Sequence, residues 1–205
     1  MLAHFDFDLT VVMTTCDRPE LFKQCLDIVN GRHKLPIRVQ AIVVDESDEK
    51  IPMDWLKSID LVIRKDKQGM WGSYAKDAGL KQASGEFVCF WDDDNIYYPD
   101  ALLTLFRAAD NHDIGVVQAI LNAEHHGLMP PQWTGAFIDK QIDTMCLCVR
   151  TSIARNHLWV DDCDARNTDF RWISRVSGDT DDFHFVAKKI GKLVPWSVHL
   201  DRMGE

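Results

Sequence analysis

The 205-residue chain contains no uninterrupted apolar stretch near the ~20 residues that span a bilayer. Its opening segment, MLAHFDFDLT, lacks the basic and long apolar parts of a secretory leader. Both absences point to a cytoplasmic protein with no transmembrane segment. Positive charge is short as well. With 23 Lys and Arg against 32 Asp and Glu, the formal charge is −9, which weighs against a nucleic-acid backbone or an anionic membrane as main partner, although a local basic patch is compatible with it. Metal-ligand cysteine spacing is missing apart from the Cys146-Leu147-Cys148 pair. The six cysteines (Cys16, Cys25, Cys89, Cys146, Cys148, Cys163) lie mostly in apolar runs, the pattern of buried free thiols. There is no repeat, no low-complexity segment and no linker-like stretch. Hydrophobic residues at 46% then predict a single domain over residues 1–205 with one core.

What is present is an alternation. LTVVMTT (9–15), RVQAIVVD (38–45), DLVIRK (60–65), EFVCFW (86–91) and DIGVVQAIL (113–121) are apolar runs of strand length. Between them, helical periodicity marks residues 17–31, 72–85 and 99–112. In the first of these helices Asp17 and Glu20 have capping-box spacing and Pro19 suits the first turn. Strands that are apolar throughout and alternate with helices predict an α/β fold, a mostly parallel sheet flanked by helices. Ligands of such sheets bind where the carboxyl ends of the strands gather their loops. Polar clusters fall at those ends: Thr14, Thr15 and Asp17; Asp45, Glu46, Ser47 and Asp48; Asp92, Asp93 and Asp94. Each cluster alone fits a solvated turn, but the convergence of all three predicts a site.

The stretch EFVCFWDDDNIYYPD sharpens this prediction, because a core strand runs directly into three aspartates. Like charges this close disfavour one another's ionised forms, and a divalent cation would relieve them. Taken with its surroundings, GSYAKDAGLKQASGEFVCFWDDDNIYYPDAL resembles the nucleotide-sugar-binding segment of family 2 glycosyltransferases, which have the Rossmann-like glycosyltransferase-A fold. The matching parts are Lys76, Gly79, Ser84-Gly85-Glu86, the strand 87–91, the Asp-x-Asp motif at 92–94 and Pro99. VVMTTCDRPELFKQCL likewise resembles the family's opening strand, loop and helix. The resemblance implies a nucleotide-sugar half at residues 9–110 and an acceptor and catalytic half at 111–205. It also implies a Mn2+ or Mg2+ ion whose charge stabilises a diphosphate leaving group. Asp94 is the implied metal ligand and Asp92 the ribose contact, directly or through the metal, with Asp93 beside them. Asp45 takes the place of the acid that bonds the nucleotide base, with Ser47 beside it, and a uridine diphosphate donor is preferred on that ground. Thr14, Arg18 and Lys76 complete the implied donor site.

The resemblance also implies an inverting displacement, in which the acceptor hydroxyl must lose a proton to a base. Family members carry an acidic pair at the start of a late helix. LWVDDCDARNTDFRWISRV offers Asp169, the preferred base, with Thr168 standing where the usual acidic neighbour would be. GDTDDFHFVAKKIGK offers Asp181 and Asp182. His199 in VPWSVHLDRM is the candidate for a returning metal ligand, and Trp133 in PPQWTGAF for stacking on an acceptor ring. The adjacent His125-His126 fits a flexible acceptor loop better than a metal site. The expected activity is therefore metal-dependent transfer of a sugar from a nucleotide-sugar to a hydroxyl acceptor: a glycan, a protein, a lipid-linked sugar or a modified nucleobase. Two alternatives stand beside it. A nucleotidyltransferase would ordinarily carry a Gly-rich first loop, and TTCDRPE has no glycine. A non-catalytic nucleotide- or metal-binding module would lack turnover.

Overall fold

The structure is a computed structural model that describes residues 5–69, 72–121, 127–161 and 167–194. The chain runs β1 (Phe7–Thr15), α1 (Pro19–Asn30), β2 (Val39–Asp45), β3 (Leu61–Arg64), α2 (Ser73–Gln82), β4 (Gly85–Asp92), β5 (Ile96–Tyr97), α3 (Ala101–Ala109) and β6 (Ile114–Ile120). There follow β7 (Leu128–Met129), β8 (Leu147–Arg150), α4 (Thr151–Ala154), α5 (Thr168–Val176) and β9 (Phe183–Lys192). Among the described residues these strands form one 9-stranded sheet in the order β3-β2-β1-β4-β8-β6-β9-β5, with β7 paired to β6. Helices flank the sheet, as the alternation predicts.

Strand β1 is buried from Leu9 to Thr15 because β2 and β4 pair with it in parallel on either side, and β3 extends the sheet in parallel beyond β2. The other half is mixed. β8 lies antiparallel between β4 and β6, β9 joins β6 in parallel, and β5 closes antiparallel on β9.

Two packing details aim side chains at the sheet's carboxyl edge. A Cβ on Gly79 would lie 2.3 Å from Val12 Cγ1, so only glycine lets α2 ride this close to β1. Lys76, one turn earlier on the same helix face, is thereby brought to the end of β4. On α5, Trp172 is fully buried and stacks on Trp159 at 4.3 Å, and Phe90 of β4 meets both rings edge-on. Asp169 stands three residues before Trp172, so the anchored ring turns the carboxylate to the same edge.

The sequence pattern is overridden at two places. Asp17 does not cap α1; Arg18 is the N-cap residue, and its side chain makes no capping hydrogen bond. Asp17 instead adopts a left-handed backbone with φ 54° and accepts hydrogen bonds from the Asp48 amide at 2.8 Å and Lys67 Nζ at 2.6 Å. The segment after Asp181-Asp182 is the strand β9, not a helix. Phe183 and Phe185 alternate onto one face and pack against Trp133, which a helical period would not allow.

Candidate active site

Among the described residues, the three aspartates at the end of β4 face two protein cations, Lys76 and Arg18. Asp92 accepts from Thr14 Oγ1 at 2.9 Å and from Lys76 Nζ at 3.0 Å. Asp93 is buried; it accepts from the Cys16 amide at 3.3 Å and faces Arg18 Nη2 at 2.7 Å. Burial pushes its carboxyl up to about 7, against the pull of Arg18 and with the help of Asp94. Asp94 is one-fifth exposed and pairs with Arg18 Nη1 at 2.6 Å. The repulsion that suggested a divalent cation is therefore met in part by Arg18 and Lys76.

Lys76 is the hub of the site. Its side chain is 3% exposed, with Nζ 3.0 Å from Asp92, 3.7 Å from Asp169 and 4.8 Å above the Trp159 ring. Burial alone would lower its pKa, but Asp92 and Asp169 more than reverse this, so the ammonium stays charged. Asp169 accepts from the Thr144 amide at 3.3 Å, and the Thr144 hydroxyl lies 3.4 Å from both Asp169 Oδ2 and Asp92 Oδ2. Asn167, not Asp169, is the N-cap of α5. The Asp169 carboxylate is thus free of a capping role and faces the site. Burial raises its pKa against the opposing charge of Lys76. Asp143, whose carboxylate accepts from the Met145 amide at 2.9 Å, is raised further by burial and by Asp169 and Asp92.

The loop after β2 departs from expectation. Asp45 is fully buried, and its two carboxylate oxygens accept from the amides of Ser47 at 3.0 Å and Ile51 at 2.9 Å. Such a side chain shapes the loop and presents no face to a base. The Ser47 hydroxyl accepts from the Asp17 amide at 3.0 Å, joining this loop to the one after β1. Glu46 is the contrasting neighbour. It is 3% exposed, and its Oε1 is buried with no hydrogen-bond partner among the described residues. Burial raises its pKa against Lys65 and Lys50.

Thr14, Arg18, Lys76, Asp92, Asp93, Asp94 and Asp169 are brought together. Asp181 and Asp182 are not. Phe183 is in register with Ile114, Ile114 with Val149, and Val149 with Val88, so Asp182 lies at the opposite edge of the sheet. The row through Val88 is already roughly 13 Å from Asp92 along the strand at about 3.3 Å per residue. Asp182 accepts from or pairs with His112 Nδ1 at 2.7 Å there. Trp133 is engaged by Phe137, Phe183 and Phe185 and packs on β9 instead of over the carboxylates. His199, His125, His126 and Cys163 lie outside the described residues. The other five cysteines are free thiols. Pattern reading missed Asp143 and Thr144, and it placed Glu46 in a polar cluster without giving it a role of its own. Glu46 was hidden beside a more family-like aspartate, while Asp143 and Thr144 belong to a short turn, Thr144–Cys146, that has no periodicity.

The donor chemistry fits a hard cation in one specific way. Among the described residues no three His, Cys, Asp or Glu side chains gather as a cation site. Mg2+, however, is commonly held by one or two carboxylates together with substrate phosphates, and Asp92 and Asp94 are such a pair. No described helix is long and apolar enough to cross a membrane.

The profile of "Glycosyl transferase family 2" matches residues 10–145. Among curated proteins, none matches by sequence. Similar solved structures include Staphylococcus aureus TarS 1–349, at TM-score 0.72 and 13% identity over 91% of this chain and 60% of that one. Glucosyl-3-phosphoglycerate synthase from Mycobacterium tuberculosis, solved with Mn2+, UDP and glucosyl-3-phosphoglycerate, gives 0.65 and 13% over 97% and 75%. A Pyrobaculum calidifontis mannosyltransferase with GDP-Man and Mn2+ gives 0.62 and 14% over 95% and 60%. At these identities the likeness establishes the fold, and this chain spans about 60% of the TarS fragment.

Proposed function

Because this chain belongs to glycosyl transferase family 2, we propose that it transfers a sugar from a nucleoside-diphosphate sugar, preferably a uridine one, to a hydroxyl acceptor with inversion. The observation that carries this reading is Lys76 standing between Asp92 at 3.0 Å and Asp169 at 3.7 Å, which joins a donor-side carboxylate to a candidate base. A divalent cation held by Asp92 and Asp94 would supply positive charge to the diphosphate leaving group. The use of Mn2+ or Mg2+ is supported by the Mn2+ in two of the similar structures, and uridine by the UDP in one of them.

The chain's own residues have distinct tasks. Asp169 accepts the acceptor's proton as the hydroxyl oxygen bonds to the anomeric carbon and the bond to the diphosphate breaks. Thr144 and Lys76 orient its carboxylate. Glu46 replaces Asp45 as the reader of the base: its buried Oε1, which has no hydrogen-bond partner among the described residues, accepts an imide N–H, while Asp45 holds the loop in shape. The donor is thus held by residues 9–110, and the base comes from 111–205.

Thermal shift with UDP, ADP and UDP-sugars, each with and without Mn2+, tests the reading, since a ligand that binds only the folded state raises apparent stability. UDP with Mn2+ is expected to raise Tm more than ADP with Mn2+. Glu46→Ala is expected to weaken UDP binding by about 1.5–3 kcal/mol, the range for a hydrogen bond to a charged group. Slow hydrolysis of a UDP-sugar in Mn2+ distinguishes an enzyme from a binding module. If no nucleoside diphosphate shifts Tm under any condition, the donor-site reading is wrong.

A further inference from the structure

We propose that Arg18 acts as an exchangeable internal counter-ion, occupying the cation position at Asp94 until a nucleoside diphosphate draws it away, so that cation and nucleotide bind as a coupled pair. The inference rests on the reading that Asp92 and Asp94 hold the cation. Its own support is geometric. The Arg18 guanidinium forks across two carboxylates, with Nη2 2.7 Å from Asp93 and Nη1 2.6 Å from Asp94. A cation added at Asp94 meets both an occupied oxygen and a positive charge.

Lys76 and Arg18 differ in freedom. Lys76 is 3% exposed and enclosed between Asp92, Asp169 and the Trp159 ring, so it is a fixed charge. The Arg18 side chain is 34% exposed, and its Asp94 arm is the outer one, because Asp93 is wholly buried. The backbone around Arg18 is pinned. The Asp17 amide bonds to Ser47, the Asp17 carboxylate takes the Asp48 amide and Lys67, and the Arg18 carbonyl accepts the Phe22 amide. Exchange is therefore a movement of the side chain alone. A diphosphate offers the planar fork a partner at least as suitable as a carboxylate. When Nη1 moves to phosphate, the Asp94 oxygen is released to the cation, which the same phosphates also ligate. The nucleotide then raises cation affinity, and by linkage the cation raises nucleotide affinity by the same factor.

The test is Mn2+ binding to the full chain, followed by the electron paramagnetic resonance of free Mn2+, with and without UDP. Wild type is expected to bind Mn2+ weakly without UDP, and Arg18→Gln to bind it at least tenfold more tightly. Adding Asp94→Asn to that variant should cancel the gain. The enhancement of Mn2+ affinity by UDP should shrink in Arg18→Gln by the factor that its nucleotide-free affinity has risen. Arg18→Lys keeps a charge that cannot fork across both carboxylates and should tighten Mn2+ a few-fold; it carries the test alone if Arg18→Gln does not fold. Unchanged or weaker nucleotide-free affinity in the folded variants, with UDP-dependent Mn2+ binding intact, would overturn the exchange while leaving the donor site standing. If no protein binds Mn2+ even with UDP, the cation reading falls and the exchange falls with it.

Discussion

The two edges of the sheet are both dense in ion pairs, yet they are built differently. At the carboxyl edge of β4, Asp92, Asp93, Asp94 and Asp169 face Arg18 and Lys76, and Asp93 and Lys76 are almost entirely buried. At the opposite edge Arg150 pairs with Glu86 and Asp113 at 2.8 Å, and His112 with Asp182 at 2.7 Å, in side chains that are more open to solvent. These pairs tie the ends of β4, β6, β8 and β9 together. Ion pairing by itself therefore does not mark a site in this molecule. Burial of the charges is what separates the candidate site from the other edge, because a charge removed from water stays costly unless closely balanced.

The largest expected difference between the edges is in turnover. Asp169→Asn removes the proposed proton acceptor while keeping its shape, so sugar transfer should fall by about 10²–10⁴ with donor affinity nearly unchanged. Asp182→Asn changes an exposed pair remote from Asp92 and should leave turnover close to wild type. Kinetics of both variants with one donor and one acceptor make the comparison direct. A dead Asp182→Asn beside an active Asp169→Asn would reverse the assignment of the edges.

The candidate site was legible where chemistry coincided with regular structure. Lys76 and Gly79 lie on a periodic helix, Asp92 ends an apolar strand, and Asp169 opens a helix anchored by Trp172, so sequence spacing carried each to its place. The rest depended on contacts distant in sequence. Nothing local distinguishes Asp45, which turns inward to the amides of its own loop, from Glu46, whose Oε1 has no hydrogen-bond partner among the described residues. Asp17 has the spacing of a cap but is taken by Asp48 and Lys67 from other loops. The mixed half of the sheet was least visible. β8 has only 4 residues, and its place between β4 and β6 is fixed by its neighbours, not by its own pattern.

A smaller effect is expected in stability. Lys76→Met leaves Asp92 and Asp169 without their shared cation and should cost about 3 kcal/mol, the lower end of the range for breaking a buried pair, because both carboxylates retain some solvent. Arg150→Met at the other edge removes more exposed pairs and should cost about 1 kcal/mol. Urea denaturation of the two variants measures the contrast, and equal losses would mean that burial does not separate the edges.

The finest distinction is the sign of the pH dependence. Asp93 has its carboxyl raised from the usual 3.8 to about 7, chiefly by burial, so between those values the folded protein holds a proton that the unfolded chain has released. Stability of the nucleotide- and metal-free protein should fall as pH rises through this window, with a slope from this group of at most about 1.4 kcal/mol per pH unit. Asp113 behaves oppositely. Burial raises its pKa, but Thr180 and Arg150 outweigh that and leave it lowered, so its contribution is present above 3.8 and is lost as pH falls through the depressed folded value. Denaturation between pH 4.5 and 7 should therefore show a shallower decline in Asp93→Asn than in wild type, whereas Asp113→Asn should parallel wild type there and diverge only at lower pH. An unchanged slope in Asp93→Asn would mean that Arg18 holds Asp93 ionised throughout, and the carboxyl edge would then differ from the other in burial alone.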